Sequence, residues 1–135
     1  MKILQINTVY KNGGSTGRIV YDLSEMIKAN NIDSYVAYGY EYTETNDDNT
    51  FCMESIPALK LSILKTRCFG RHAFYTKKET RNLLKWIDTV EPDLIHLHNL
   101  HNHYLNIEIL FKYIKNKNIP VIWTLHDCWA FTGWC

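Results

Sequence analysis

Short apolar segments alternate with amphipathic segments along almost the whole chain. Apolar runs at residues 2–8, 34–39, 92–97 and 120–125 have the length and composition of buried strands. The segments between them show the 3.6-residue periodicity of helices that bury one face. The order is β-α-β-(α-α)-β-α-β, and strands joined through helices form a parallel sheet with right-handed crossovers. The sequence therefore predicts an α/β fold, a doubly wound parallel sheet with helices on both faces.

Four segments are predicted to be helical. The first follows a glycine-rich loop and has Ser15 or Thr16 in position to cap its amino terminus, and the others cover residues 57–71, 80–90 and 104–116. The residues predicted to face the core are Ile19, Leu23, Met26 and Ile27 in the first helix, Leu59, Ile63 and Leu64 in the second, Leu83, Leu84 and Ile87 in the third, and Ile107, Leu110, Phe111 and Ile114 in the fourth.

Length and composition indicate one globular domain. The chain has 135 residues, of which 46% are hydrophobic and 21% charged, enough to bury a sizeable core. A net charge of +1 argues against nucleic acid as a partner bound through a general basic excess. The chain opens directly on a strand pattern without a signal peptide, so we expect a cytoplasmic protein with reduced cysteines.

One segment carries most of the local charge. Residues 57–82 hold seven basic side chains against Glu79 alone, with aromatic and leucine residues between them. Such a segment is typical of contact with an anionic membrane surface or a phospholipid acceptor. The alternative is a pair of helices with a solvated basic face, and the sequence leaves both open.

The first strand runs into a glycine loop, Asn12-Gly-Gly-Ser-Thr-Gly-Arg18. Gly13 and Gly14 would let backbone N–H groups approach a phosphate at the start of the helix, or they would simply form a tight turn. A dinucleotide fingerprint requires glycine where the chain has Asn12. Because Glu41 is placed to bind a ribose, an NAD-dependent oxidoreductase stays open as an alternative.

Two later strands end in polar pairs, His98-Asn99 and His126-Asp127. Carboxyl ends of parallel strands share one edge of the sheet, which is where open α/β folds bind ligands. The alternative is a hydrogen-bonded strand-end histidine and an aspartate that caps a following helix. Histidines at 96, 98, 101 and 103 also suggest a zinc hydrolase, although hydrogen bonding or packing accounts for them without a metal.

Three segments together resemble the amino-terminal half of a bacterial family 4 glycosyltransferase. They are the ILQIN strand with GGSTGR, the PDLIHLHN strand, and the run WTLHDCWAFTG, of which HDCWAFTG is the most specific. The resemblance implies the GT-B architecture, in which two Rossmann-like domains face a cleft. The first domain binds chiefly acceptor and the second nucleotide-sugar donor, with retention of anomeric configuration and commonly without a metal.

The resemblance also implies roles for particular residues. Gly13 and Gly14 would lie near the donor diphosphate, with Ser15 and Arg18 close to the phosphates or the acceptor. His126 would lie at the reacting sugar as a catalytic residue, and Asp127 would orient it or bind a hydroxyl. The acceptor pocket would be shaped by His98 and Asn99.

Residues 1–135 would then form the acceptor-side domain, cut short at its carboxyl end and lacking the donor-binding domain. Alone it would have little or no transferase activity, and Cys128 and Cys135 would belong to a cysteine cluster of the longer protein. The expected partners are a nucleotide-sugar donor and a glycan or lipid-linked acceptor, in surface polysaccharide synthesis at the cytoplasmic membrane face. A non-catalytic sugar- or nucleotide-binding module complete in 135 residues is a further alternative.

Overall fold

The computed structural model describes residues 1–11, 14–40, 47–53, 60, 63–64, 68 and 74–132. Gly13, Glu41 and most of the helix predicted over residues 57–71 lie outside these ranges. Leu64 is described, and 58% of its surface is exposed, so the prediction that it faces the core is wrong.

Five parallel strands form one sheet in the described part of the chain. The strands are β1 (Lys2–Asn7), β2 (Asp33–Tyr38), β3 (Thr50–Cys52), β4 (Leu94–Leu97) and β5 (Val121–Trp123). Their order across the sheet is β3-β2-β1-β4-β5. The chain therefore winds outward from β1 in both directions, which confirms the doubly wound α/β fold. Sequence analysis missed β3, a three-residue strand that follows a polar stretch of sequence.

Helices connect the strands and cover both faces of the sheet. The helices are α1 (Ser15–Ala29), α2 (Lys77–Val90), α3 (Ile107–Lys117) and the single turn α4 (Trp129–Thr132). Apolar side chains of α2 and α3 pack with those of β1 and β4 in the larger core cluster, which includes Leu4, Ile6, Leu83, Ile87, Ile95, Leu97, Leu110 and Ile114. A smaller cluster of Tyr10, Val20, Val36 and Tyr38 lies under α1. No described helix is long and apolar enough to span a membrane.

The prediction for helix α1 is only partly right, since Leu23 and Ile27 are half-buried but the other two predicted core residues are exposed. Ile19 and Met26 are 41% and 62% exposed, whereas Gly17, Val20 and Ser24 are buried. Ser24 tolerates burial because its hydroxyl lies 2.7 Å from that of Ser34 in β2. The residues of α1 that face the sheet therefore include a glycine and a hydrogen-bonded serine. A prediction that counts only hydrophobic residues does not identify them.

The start of α1 also differs from the prediction. Gly14 occupies the N-cap position with a φ of +88°, and no side chain caps the helix. Ser15 is the first helical residue, so the predicted cap by Ser15 or Thr16 is wrong. Positive φ is the conformation that glycine adopts without steric cost, which explains the residue at this turn.

Strand β5 lies at the edge of the described sheet, so the prediction of a buried strand is wrong. Val121 and Ile122 are 39% and 51% exposed because β5 pairs with β4 on one side. Phe111, predicted to face the core, is 37% exposed and packs with its ring centroid 5.7 Å from that of Trp123. Helix α3 begins at Ile107, later than predicted, because the Asn106 side chain accepts a hydrogen bond from the Ile109 amide at 3.0 Å.

Substitution Gly39→Ala tests the packing beside β2. A Cβ at this position would lie 2.5 Å from the ring of buried Tyr104. We expect the free energy of unfolding, measured by urea denaturation, to fall by about 1–3 kcal/mol, the usual cost of overpacking. The same substitution should cost less in a Tyr104→Leu background, and an equal cost in both backgrounds would contradict the contact.

Candidate functional site

The carboxyl ends of β1 and β4 are tied together beyond their last paired residues. Asn99 donates its backbone N–H to Asn7 Oδ1 at 3.2 Å, and its carbonyl accepts from Thr8 Oγ1 at 3.1 Å. The Tyr104 hydroxyl donates to the same carbonyl at 2.8 Å. Asn99, a predicted acceptor-binding residue, therefore has its backbone fixed at the edge where ligands bind in such folds.

His98 and His126 meet at this edge, as the strand-end pattern predicts. His98 Nδ1 lies 3.0 Å from His126 Nε2, and the stacked rings have centroids 5.3 Å apart. The His98 side chain is buried and its carbonyl accepts from Trp123 Nε1 at 2.9 Å. His126 is half-buried, so part of its ring reaches solvent.

Burial determines the charge of His98. Loss of hydration, followed by the proximity of His96 and His126, lowers the pKa of His98 to about 3. His98 is therefore neutral near pH 7 and has one nitrogen that donates and one that accepts.

Asp127 holds the loop that follows His126. Its Oδ1 accepts the backbone N–H of Trp129 at 2.9 Å, and its Oδ2 lies 2.7 Å from His101 Nε2. The Trp129 amide, and then His101 and His126, lower the pKa of this carboxyl group, which is therefore ionised. The capping alternative raised for Asp127 thus describes one of its two contacts.

Sequence analysis missed His101 as a partner of Asp127. The ring of Trp129 lies 5.8 Å from that of His101, and His101 Nδ1 is buried without a hydrogen-bond partner among the described residues. The sequence does show a histidine-rich segment that contains His101. The contact with Asp127 depends on the conformation of the loop, which residue spacing does not predict.

Two cations flank the amino terminus of α1 in the sequence, Lys11 before it and Arg18 in its first turn. Gly14, Ser15 and Arg18 are exposed, and the first amides of α1 precede its first intrahelical hydrogen bond, Arg18 N–H to Gly14 O. Arg18 Nε lies 2.9 Å from the Asp22 carboxylate. Lys11 Nζ lies 5.5 Å from the centre of the Tyr10 ring. Amides and cations together favour an anion at this end of the sheet.

His96 does not join a metal cluster in the described residues. Its ring lies 4.1 Å from that of His98, and its Nε2 is 2.8 Å from Thr124 Oγ1. Burial, and then His126, lower the pKa of His96. Within the described ranges, no group of three or more His, Cys, Asp or Glu side chains could hold a metal ion. The geometry favours the hydrogen-bonding interpretation of these histidines.

Gln5 is a second residue that sequence analysis missed. It lies in the middle of β1, fully buried, with Nε2 3.2 Å from the Val20 carbonyl of α1 and Oε1 3.3 Å from His98 Nε2. A polar residue inside an apolar strand was the available signal. Its partners depend on how β4 and α1 pack against β1, which the local sequence does not specify.

Fold and site together define an α/β protein in which the amino terminus of α1 and the His98–His126 pair lie at the edge of the sheet where such folds bind ligands. Residues 13–134 match the family described as Glycosyltransferase Family 4, so the chain belongs to this family. It is also similar to the putative colanic acid biosynthesis glycosyl transferase WcaC of Escherichia coli strain K12, with 27% identity over 146 residues.

That similarity covers the whole chain and 35% of the relative, so the chain spans about a third of the relative's length. No solved structure matches the chain. The family match agrees with the resemblance carried by the glycine loop and the two strand-end pairs. It gives no support to the oxidoreductase or zinc hydrolase alternatives.

Neutral, buried His98 should make stability depend on pH. Its folded pKa of about 3 lies below the usual value of about 6.5, so between these pH values the unfolded chain binds more protons than the folded chain. The stability that comes from keeping His98 neutral is fully present above pH 6.5. It declines as pH falls toward 3, and the free energy of unfolding then drops by at most about 1.4 kcal/mol per pH unit. Urea unfolding between pH 7.5 and 4.5 measures the slope. His98→Gln should flatten it, and an unchanged slope in that variant would contradict a neutral buried His98.

Proposed function

We propose that this chain is the acceptor-side domain of a retaining glycosyltransferase that moves a sugar from a nucleotide-sugar to a glycan or lipid-linked acceptor. The observation that carries the proposal is the meeting of His98 and His126 at the ligand-binding edge of a family 4 domain. The name of the relative, a colanic acid biosynthesis enzyme, supports a product of the surface polysaccharide class. A second domain would supply the donor-binding surface.

The glycine loop would act on the leaving group. Sugar transfer leaves negative charge on a diphosphate, and preorganised N–H groups and cations stabilise such charge most where it develops. The amino terminus of α1 supplies the N–H groups, with Gly14 and Ser15 exposed beside it. Arg18 and Lys11 supply positive charge, the latter a cation that sequence analysis did not select. Gly13 lies outside the described residues, and we include it in the proposed phosphate site because it precedes Gly14 in the same loop of the sequence.

The histidine pair would act on the sugar. His126 is half-buried in the segment that follows β5 and has a ring nitrogen available to a hydroxyl group of the sugar. Asp127 touches His101 and the Trp129 amide, so we assign it to holding the His126 loop rather than to chemistry. His98 and Asn99 would form the floor of the acceptor pocket beside His126.

Peripheral contact with the inner membrane belongs to the same proposal, with the protein on the cytoplasmic side. Its support is the basic segment over residues 57–82. Of that segment, Lys77, Lys78 and Arg81 lie on α2 and are exposed. Cations on one exposed helix surface suit anionic lipid head groups, where a lipid-linked acceptor would reside.

The full-length protein and its His126→Ala variant test the proposal. Incubation with a panel of UDP-, GDP- and dTDP-sugars should release nucleoside diphosphate, and a transferred sugar should keep the donor's anomeric configuration by ¹H NMR. His126→Ala should lower kcat by about 10²–10⁴-fold if the ring acts on the reacting sugar. His103→Asn, a change elsewhere in the histidine-rich segment, should leave kcat nearly unchanged. Inverted product, or equal loss in both variants, would overturn the assignment.

Arg18→Gln tests the phosphate site. Removing a cation that contacts the donor diphosphate should raise KM for the donor about tenfold, equivalent to about 1.4 kcal/mol, with a smaller effect on kcat. Asp22→Asn is the matched control because it releases Arg18 from its ion pair without removing the cation. Donor KM should stay constant or fall in that variant. A rise in KM for Asp22→Asn equal to that for Arg18→Gln would show that the ion pair, and not the cation, is needed.

A further inference from the structure

Three polar side chains connect the backbone of α1 to the proposed sugar site. Val20 O, Gln5, His98 and His126 follow one another at 3.2, 3.3 and 3.0 Å. Gln5 and His98 are 0% and 1% exposed, so water does not compete for these contacts. Among these four residues, His126 is the one that is not fully buried.

Chemistry fixes the direction of the first two hydrogen bonds. A backbone carbonyl such as Val20 O can only accept, so the Gln5 amide must present its NH₂ group to α1. Gln5 Oε1 then faces His98 Nε2, and a carbonyl oxygen again can only accept. His98 therefore carries a proton on Nε2.

The third hydrogen bond follows from the charge of His98. A neutral ring with its proton on Nε2 has a lone pair on Nδ1, which can only accept. Burial of the His98 side chain, with the tilted ring of His96 4.1 Å away, opposes a second proton on this ring. His126 must then donate its Nε2–H to His98 Nδ1.

We propose that Gln5 is a positioning residue which, through His98, holds His126 in the Nε2–H tautomer, so that His126 presents Nδ1 to substrate as a hydrogen-bond acceptor. The group that Nδ1 receives is a hydroxyl, which rests on the proposed sugar substrate. The opposite tautomer would place an N–H at the same point and would favour a different group. The selection depends on α1, since its Val20 carbonyl sets the orientation of the Gln5 amide.

Tautomers can be read without an activity assay. In protein labelled with ¹⁵N at histidine, protonated and unprotonated ring nitrogens differ in chemical shift, and two-bond correlations to ring protons assign them. At pH 8 we expect His98 and His126 each to carry the proton on Nε2. A proton on Nδ1 of either ring in the wild-type protein overturns the proposal, and this result does not depend on whether the protein transfers sugar.

Gln5→Met removes the acceptor of His98 while keeping an unbranched side chain of similar volume. We expect His126 to become a mixture of tautomers and kcat of the full-length protein to fall at least about twofold, the factor for an equal mixture. Ser34→Ala is the matched control, because it breaks another buried hydrogen bond beneath α1 without touching His98. It should leave the His126 spectrum and kcat unchanged.

The tautomer measurement and the kinetic measurement together distinguish failure of the positioning role from failure of the proposed function. Loss of the Nε2–H tautomer in Gln5→Met, with none in Ser34→Ala, supports the positioning role, and a pure Nε2–H form in Gln5→Met overturns it. A tautomer change with unaltered kcat and KM overturns the role of Nδ1 toward substrate. A wild-type protein that shows the expected tautomers but transfers no sugar overturns the proposed function and leaves the positioning of His126 standing.

Discussion

The parallel pairing of β1 with β4 holds the site together. In the pairing register, Ile3 lies opposite Leu94 and Ile6 lies opposite Leu97. The carboxyl ends of the two strands are therefore level with each other at one edge of the sheet. The ladder continues through the His98 N–H to Ile6 O bond at 2.9 Å and is joined to β5 by Thr124 N–H to Leu97 O at 2.9 Å. Side chains just beyond these bonds have little freedom to separate. Residues attached directly to strand ends, such as His98, are placed more precisely than residues on loops, because backbone hydrogen bonds fix the ends of the strands.

Apolar periodicity was sufficient to predict the fold because burial decides both strand and helix patterns here. Helix α2 buries Leu83 and Ile87, as the spacing of its apolar residues indicates. The same reasoning failed for α1, since its buried stripe contains Gly17 and hydrogen-bonded Ser24. It also failed for β5, because an apolar run does not say whether a strand lies in the middle of a sheet or at its edge.

The candidate site was partly predictable for a similar reason. His98 and His126 follow apolar strands, and the carboxyl ends of parallel strands meet, so their proximity follows from topology alone. Gln5 and His101 were not predicted because their partners depend on strand register and loop conformation. Asp127 shows this limit most clearly: its type and place in the sequence suggested a catalytic residue, but its contacts with His101 and the Trp129 amide depend on a loop conformation that the sequence does not specify.

Charge is distributed in a way that suits sugar transfer. Cations lie at the glycine loop, on Lys11 and Arg18, while the buried histidine at the other strand end stays neutral. In the proposed reaction negative charge grows on the departing diphosphate and positive charge on the anomeric carbon.

A cation buried beside His126 would repel that carbon in a medium that screens poorly. Burial keeps His98 neutral, and its partner Gln5 is an uncharged amide instead of a carboxylate. This arrangement avoids the electrostatic repulsion and still orients His126. The buried amide of Gln5 is therefore a better partner for this site than the ionised aspartate that commonly orients catalytic histidines, since a carboxylate would favour the charged form of the ring.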